Sequence, residues 1–549
     1  MDFIRFLRKE AGAYGTRIAV VTFFGGVVSA LMVTIILGAA SAATDLTQSV
    51  RYLVMFALAL LAQMLAKRYS LNHTTRLTEA IVERMRVRMS DKIRRSELLY
   101  FERVGQTLFM TILTKETQMI SNTASMAINA ASSAVMLVCS FLFIAYLSLP
   151  AFFLTVAAIT GTVAIYRMSL AQVNAQLHET VKTENEFFDL LNHMLAGFKE
   201  IKLDARKNRD LFDNYLGPLS RQVRDLKTRT NEQFVTKTIV SHSAFYVLLA
   251  TIIFLLPQMF TCDPAMIIKV TAVMLFIFGP LAEVVGIIPY VARANVSIET
   301  IQKMERSLDE EVGKHPAVDL SQPPPPLSFQ ELTIDQLEFS YLNADGTPGY
   351  TVGPLNTTIR AGEILFIMGG NGSGKSTFLK LLTGLYTPRA GRLLVDSKPL
   401  LPAHYHRYRN MFSAIFTDFH LFDRLYGLGQ VDEDHLAQLI EEMELTDKTG
   451  FSGGRFTDIN LSTGQRKRLS LIVALLEKKE VILFDEWAAD QDPVFRKHFY
   501  EDILQDFKRQ GKTIIAATHD DRYFHVADRV LKMEWGRFVA SSPESPGAN

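Results

Sequence analysis

The run Gly369-Gly370-Asn371-Gly372-Ser373-Gly374-Lys375-Ser376-Thr377 holds the residue types needed to grip a polyphosphate. Gly369, Gly372 and Gly374 let consecutive backbone N–H groups turn inward around phosphate oxygens, and a helix beginning near Lys375 would aim its positive end at them. Lys375 supplies a point charge for the outer phosphates, and the Ser376 hydroxyl is the expected Mg2+ ligand. Upstream, the apolar Ile364 to Ile367 reads as a buried strand. Downstream, Thr377 to Leu385 reads as a helix, which completes the strand–loop–helix setting this chemistry requires. Further along, Asp485 and Glu486 close the apolar run from Val481, and a lone His519 follows another from Thr513.

These groups lie in a region that, from Phe329 onward, alternates short apolar strands with helical segments, the pattern of an α/β domain. The first 300 or so residues read differently. Six apolar stretches come in pairs, each of about 17–25 residues as a bilayer-crossing helix needs. They lie at Ile18 to Ser41, Tyr52 to Ala66, Met126 to Leu147, Phe152 to Tyr166, Ile239 to Phe260 and Ile267 to Tyr290, the second and fourth being short. Basic residues precede the first span (Arg5, Arg8, Lys9, Arg17) and fill the second-to-third and fourth-to-fifth connections, among them Arg84, Arg94, Lys199 and Arg206. The hairpins at Asp45, Pro150 and Asp263 carry almost none, so the positive-inside rule puts both termini in the cytoplasm. The first apolar run lacks a small-residue cleavage site and is followed by a partner span, so it is expected to stay as an anchor.

The two long connections, about 60–70 residues each, carry helical patterning and are expected to extend the membrane helices into the cytoplasm. Turns are expected near Phe101 to Gln106 and near Asp210 to Leu216, where a cytoplasmic domain could dock. The expected organisation is a membrane domain over residues 1–311, a Pro-rich linker over 312–328, a nucleotide-binding domain over 329–540 and a disordered tail over 541–549. Pro323 to Pro326 cannot continue a helix and favour an extended spacer. With 58 basic and 57 acidic residues, the net charge of +1 gives no sign of a nucleic-acid partner. Cys139 and Cys262 have no metal-ligand company and read as structural.

From about Leu332 to Phe538 the chain resembles the nucleotide-binding domain of ATP-binding cassette (ABC) proteins. The resemblance rests on the glycine loop, on Leu461-Ser462-Thr463-Gly464-Gln465, on Asp485-Glu486 and on His519. It implies that Tyr341 stacks on adenine, that Asp485 holds Mg2+, that Glu486 orients or deprotonates the attacking water, and that His519 contacts the γ-phosphate. Asp492 corresponds to an aspartate that communicates between two sites. Ser462, Thr463, Gly464 and Gln465 form the family signature, with threonine where glycine is usual, and in the family this segment caps nucleotide held by a second domain. One cassette behind one set of spans therefore implies a homodimer. A heterodimer is the other arrangement, although those usually show one degenerate site.

The glutamine expected after Phe412 to Phe416 is absent. Thr417 or Asp418 takes its place, so Asp418 is a further candidate for Mg2+. The segments FTDFHLFD, LSTGQRKRL, FDEWAADQDP and THDDRYF together resemble the cyclic-peptide and siderophore exporter family, which includes pyoverdine-precursor and microcin-type peptide exporters. The resemblance implies an ABC exporter fold: a six-span α-helical membrane bundle fused to an α/β P-loop domain. It implies a half-transporter of the bacterial inner membrane that uses ATP and Mg2+ to export a modified or cyclic peptide or a siderophore precursor. A lipid or multidrug exporter shares the architecture and is the alternative. A soluble ABC ATPase would lack the spans, and importers usually keep their membrane and ATPase parts on separate chains. Within the spans, Asn129, His242 and Glu283 are the polar groups; His242 reads as a hydrogen-bonded helix residue near the interface rather than a ligand, and Glu283, beside Gly279 and Pro280, reads equally as a cavity residue and as a group that is solvated near the span's cytoplasmic end or paired within the bundle. His404 and His406 alternate on a polar stretch and read as exposed.

Overall fold

A computed structural model describes residues 2–41, 46–168, 170–260, 263–313, 327–343, 345–429 and 431–539. The hairpin expected at Asp45, Cys262, residues 314–326 of the Pro-rich segment, and the tail expected over residues 541–549 lie outside the described residues. The chain divides into two compact units, one of Met1–Arg95 with Val104–Asp309, the other of Ser96–Arg103 with Glu310–Asn549.

Among the described residues the regular elements of the first unit are all helices. Its elements are α1 (Asp2–Ser41), α2 (Leu46–Arg95), α4 (Gln106–Leu147), α5 (Leu149–Met168), α6 (Leu170–Ala196), α7 (Phe198–Leu203), α8 (Ala205–Met259) and α9 (Pro264–Gly313), with α3 (Leu98–Val104) between α2 and α4. Among the described residues five helices are long and apolar enough to cross a membrane, and the shorter apolar stretch Leu149–Gly161 overlaps the fourth expected span. At 50 residues, α2 runs on the order of 75 Å, far beyond a hydrocarbon layer of about 30 Å. Its polar end carries Lys92, Arg94 and Arg95, favourable at a helix C-terminus. Ion pairs cross-link these polar extensions: Lys92 reaches Glu305 at 2.9 Å and Asp309 at 2.7 Å, while Glu184 takes Lys115 and Lys227, each at 2.7 Å. Burial would raise the Glu184 carboxyl, yet the two lysines hold it below its usual range.

The first connection turns at α3 and at Gly105, whose φ of 81° suits glycine. The second turns earlier than expected. Gly197 and Asp204 flank α7, and the Asp204 carboxylate caps the next helix by accepting from the backbone N–H groups of Arg206 and Lys207 at 2.8 and 3.3 Å. Residues Asp210 to Leu216 are helical, because a widened π-turn at Leu211–Leu216 immediately before Gly217 and Pro218 absorbs the proline that cannot donate a helical hydrogen bond.

Among the described residues the second unit holds two large sheets and a two-stranded ribbon of Phe451–Ser452 with Arg455–Phe456. An antiparallel sheet orders β2 (Pro348–Arg360), β1 (Glu331–Leu342), β4 (Ala390–Val395) and β5 (Lys398–Pro399). The other orders β10 (Arg537–Val539), β9 (Arg529–Glu534), β3 (Ile364–Met368), β8 (Thr513–Ala517), β7 (Val481–Asp485) and β6 (Phe412–Ile415), parallel except for the β9–β10 hairpin. Side chains alternate across each strand. Ile364 and Phe366 join Ile482, Phe484, Ile514 and Ala516 in one core, while Leu365 and Ile367 join Val481, Leu483, Ile515 and Ala517 in the other. Burial on both faces explains why these strands read as unbroken apolar runs. Helix α3 belongs largely to this unit: Leu98 and Leu99 pack against its core, Glu97 takes Arg409 at 3.0 Å, and Glu102 takes Lys380 at 2.9 Å and the Tyr386 hydroxyl at 2.5 Å. Burial, then the Glu102 carboxylate, pushes the Tyr386 hydroxyl well above its ordinary value.

Candidate nucleotide site

Strand β3 delivers the loop Gly369 to Gly374, and α10 (Lys375–Leu382) leaves it. Gly374 caps α10 at φ 103°, a conformation a side chain would resist. At Gly369 a Cβ would stand 2.3 Å from the Met533 carbonyl oxygen, so only glycine lets the loop lie against β9. Asn371, Gly372, Ser373, Gly374, Lys375, Ser376 and Thr377 line an open pocket of about 590 Å3, together with Tyr350, Thr417 and Glu486.

The buried Lys375 ammonium donates to the carbonyls of Gly369 and Gly370 at 2.9 and 3.2 Å. It also lies 3.2 Å from Glu486 Oε1 and 3.1 Å from His519 Nε2. His519 Nε2 is in turn 3.0 Å from the same Glu486 oxygen. That nitrogen can accept from Lys375 or, protonated, donate to Glu486, but not both at once. Burial would raise the Glu486 carboxyl, but Lys375 and His519 outweigh it and hold the group below its usual range, as a carboxylate.

Asp485 ends β7 at 1% exposure, and neither of its oxygens makes a hydrogen bond of ordinary geometry among the described residues. Burial pushes its carboxyl up, against the pull of the nearby Ser376 hydroxyl. A buried carboxylate with both oxygens unsatisfied beside a hydroxyl suits a hard divalent cation, so the residues present fit Mg2+. Of the two candidates for the missing glutamine, Thr417 lines the pocket, whereas Asp418 is exposed beside it and is not among the lining residues.

Tyr341 lies outside the lining. Its hydroxyl is 3.1 Å from the Thr377 hydroxyl, and its ring packs edge-on against Phe339 and Tyr386. The aromatic that faces the pocket is Tyr350, 40% exposed, whose hydroxyl donates to the Gly372 carbonyl at 3.0 Å. Sequence reading missed it.

The signature segment stands apart from this pocket. Ser462 caps α11 (Thr463–Leu476) in a reciprocal box: its hydroxyl accepts from the Gln465 N–H at 3.4 Å, and its own N–H donates to Gln465 Oε1 at 3.1 Å. The spacing Ser-x-x-Gln was legible as such. Gly464 meets the segment after Glu486 closely: a Cβ there would lie 2.7 Å from the Asp490 carbonyl oxygen, and Gln491 Nε2 donates to the Gly464 carbonyl at 3.1 Å.

Beneath that contact lies a charged network the sequence did not reveal. Lys467, 3% exposed, donates to the Glu486 carbonyl at 2.8 Å and pairs with Asp490 at 2.7 Å. Its own carbonyl accepts from the buried Trp487 indole at 3.0 Å. Arg468 reaches Gln491 at 2.9 Å, Asp492 at 2.7 Å and Glu444 at 2.6 Å, with its guanidinium 3.6 Å from the Phe495 ring centre. Asp492 also caps the helix from Pro493 by accepting from Val494 and Phe495 N–H groups. The chain thus fixes Glu486, itself at φ 52°, and the signature helix to one another.

In the helical unit, Asn129 and Glu283 line one cavity of about 270 Å3. His242 is elsewhere, its ring 4.9 Å from that of Phe278.

Two family descriptions match the chain: ABC transporter over residues 352–489, and ABC transporter transmembrane region over residues 16–208. The ATP-binding protein SyrD of Pseudomonas syringae pv. syringae is 31% identical over 471 residues, spanning 84% of this chain and 82% of its own. The macrolide export ATP-binding/permease protein MacB 2 of Aeromonas hydrophila subsp. hydrophila is 34% identical over 207 residues, 36% of this chain and 32% of its own. The solved structure of a bacterial Atm1-family ABC exporter with ATP bound superposes at a TM-score of 0.78 and 17% identity, covering 97% of this chain and 95% of that one. That likeness is one of fold.

Proposed function

This chain belongs to the ABC transporter family, and from that premise we propose that it exports a modified or cyclic peptide, or a peptide siderophore precursor, across a bacterial inner membrane as a homodimer. It has the half-transporter exporter architecture, a membrane region and an ATP-binding domain on one polypeptide, and couples ATP hydrolysis to transport. Both termini are assigned to the cytoplasm from the distribution of basic residues.

The observation that carries the substrate class is the polar lining of the membrane cavity. The amides of Gln63 and Asn129 and the hydroxyls of Ser29 and Ser133 offer hydrogen bonds that a peptide can satisfy. Gln63 already donates to Ser29 and Ser133 to Glu283, so a lipid tail would leave unmatched the Asn129 amide and the remaining hydrogen-bonding capacity of the others. The segments FTDFHLFD and FDEWAADQDP support the same family. Dimerisation is supported by the signature residues Ser462 to Gln465, which are absent from the lining of their own chain's phosphate pocket and are available to cap nucleotide on a second copy.

In the proposed cycle the ATP phosphates take over the Lys375 ammonium from Glu486 and His519. Released, Glu486 orients or deprotonates the attacking water, and His519 contacts the γ-phosphate. Ser376 and Asp485 would hold Mg2+, which neutralises phosphate charge when bound. Closure of two cassettes around ATP biases the helical domains from inward-open to outward-open, and hydrolysis resets them.

ATP turnover of the reconstituted protein against a panel of peptides, siderophore precursors, lipids and hydrophobic drugs tests the assignment. Stimulation by peptides is expected. Response to lipids or drugs alone would replace the peptide reading with the lipid or multidrug one.

A further inference from the structure

Four helices turn polar side chains into one space within the membrane unit. Ser29 on α1, Gln63 and Lys67 on α2, Asn129 and Ser133 on α4, and Glu283 on α9 all line the cavity of about 270 Å3. Gln63 and Lys67, like Asn129 and Ser133, are four residues apart and so share a helix face. Glu283 lies on the order of 29 Å along α9 from its start at Pro264, close to the full depth of a hydrocarbon layer. The cavity therefore opens at the level of one leaflet, the cytoplasmic one in the proposed orientation.

Some of its polar groups are already satisfied. Gln63 Nε2 donates to the Ser29 hydroxyl at 2.8 Å, and the Thr22 and Ser70 hydroxyls share a 2.7 Å bond. The charges are not. The Glu283 carboxylate accepts one hydrogen bond, from Ser133, and Lys67 has no hydrogen-bond or ion-pair partner among the described residues. Pro280, one turn before Glu283, has no N–H to give the Phe276 carbonyl. Lys67 alone could extend toward headgroups, but that leaves Glu283 without a cation. Both side chains are exposed and line the cavity at the edge of the low-dielectric layer, neither meets a counter-ion there among the described residues, and a ligand bearing both unlike charges would complete each.

We propose that this cavity is a subsite for a zwitterionic portion of the transported peptide. Glu283 receives an ammonium group and Lys67 a carboxylate, while Gln63 and Asn129 pair with adjacent peptide amides. The proposal rests on the peptide reading above and narrows it. A cavity this small takes only that portion, since drug-sized ligands fill about 300–1,000 Å3.

The test uses the full chain in liposomes and reads the concentration of peptide that half-stimulates ATP turnover. The probes are four N-acetylated, C-amidated alanine hexapeptides whose two central residues are Lys-Asp, Lys-Asn, Gln-Asp or Gln-Asn. The Lys-Asp peptide is expected to act at about one-tenth the concentration of the Gln-Asn peptide. Glu283→Gln should erase the advantage of the Lys residue alone, Lys67→Gln that of the Asp residue alone, and Glu283→Asp should keep both. Each comparison is made between peptides on one variant, so altered assembly or basal turnover does not enter, and Lys67→Gln and Glu283→Asp carry the test if Glu283→Gln does not assemble. Four peptides equally active on the unsubstituted protein, or charge preferences untouched by either substitution, would overturn the subsite and leave the peptide reading standing. No stimulation by any of the four, with stimulation by lipids or drugs, would overturn both.

Discussion

In the phosphate pocket the Lys375 ammonium sits 3.2 Å from Glu486 and 3.1 Å from His519, so the charges of Lys375 and Glu486 already have partners inside the protein. In the membrane cavity, among the described residues, Glu283 holds only the Ser133 hydroxyl and Lys67 faces the same space unpaired. The first arrangement makes ligand binding an exchange of partners. Phosphates replace Glu486 on Lys375, and the carboxylate they displace is the one proposed to act on water. The second makes binding a completion, in which whatever enters must bring the missing charges. A site of the first kind suits one fixed ligand with high negative charge. A site of the second kind tolerates a range of cargo that shares a charge pattern, which is what an exporter of modified peptides requires.

If the exchange of partners matters, the largest effect belongs to Glu486. Glu486→Gln is expected to lower the rate of ATP hydrolysis by about 10²–10⁴-fold, the range for loss of a general base, while binding of a fluorescent ATP analogue persists. Retained turnover would remove the assigned role and with it the contrast between the two sites. Chelation of Mg2+ should stop turnover through the same pocket, because Asp485 and Ser376 would then have no cation to hold.

Next in size is the support beneath Glu486. Lys467 is a buried ammonium held by the Glu486 carbonyl and by Asp490 at 2.7 Å. Lys467→Met should let Glu486 leave its φ of 52° and lower kcat by roughly 10-fold to 100-fold, with KM for ATP little changed because no phosphate contact is lost. A rise in KM with kcat intact would make Lys467 a binding residue instead. Asp490→Asn leaves the buried ammonium with neutral partners only and should lower the melting temperature.

Much of the nucleotide site was legible because its chemistry demands fixed residue types at fixed spacing. A loop that wraps phosphate needs glycines where Gly369 and Gly374 stand, and a strand buried on both faces announces itself as Val481 to Phe484 does. Lys467 was hidden for the opposite reason. In the run Arg466-Lys467-Arg468 it reads as an exposed basic stretch, and only the return of Asp490 and Asp492 after β7 shows that two of these charges are buried and paired. Tyr350 was hidden by the β1–β2 register, which shifts three times, so that counting along the sequence cannot say which aromatic faces the loop. In the helical unit the spans were plain from apolar length. The turn of the second long connection lies earlier than expected, because a π-turn carries the helix past Gly217 and Pro218. The membrane cavity was read only through Asn129 and Glu283, since Ser, Gln and Lys spaced at four residues on several helices converge only when the bundle packs.

A smaller effect separates the two aromatics near the phosphate loop. Tyr350→Ala is expected to raise KM for ATP by about 3-fold to 10-fold, on the scale of one lost aromatic contact of about 0.5–1.5 kcal/mol. Tyr341→Ala should change KM less if its ring stays packed against Tyr386 when nucleotide binds. The reverse order would mean that Tyr341 swings out to stack on adenine, as the family resemblance implies, and that the pocket rearranges further than an exchange of partners on Lys375.

The smallest expected effect tests whether the satisfied part of the membrane cavity is scaffold or machinery. The Thr22 and Ser70 hydroxyls are buried and 2.7 Å apart, joining α1 to α2 at the cavity wall. A hydrogen bond between membrane helices contributes about 0.6 kcal/mol on average, because the separated helices find other partners. Thr22→Val and Ser70→Ala should each destabilise the reconstituted protein, since each leaves one buried hydroxyl or its space unmatched. The double variant should be less destabilised than the sum, with a coupling near that figure in a thermal-stability cycle. Peptide discrimination should be unchanged in all three, because neither residue carries a charge the ligand must meet. A loss of Lys or Asp preference in the double variant would show that the wall positions Lys67, four residues from Gln63 and three from Ser70, and would move these hydroxyls from holding the bundle together to selecting its cargo.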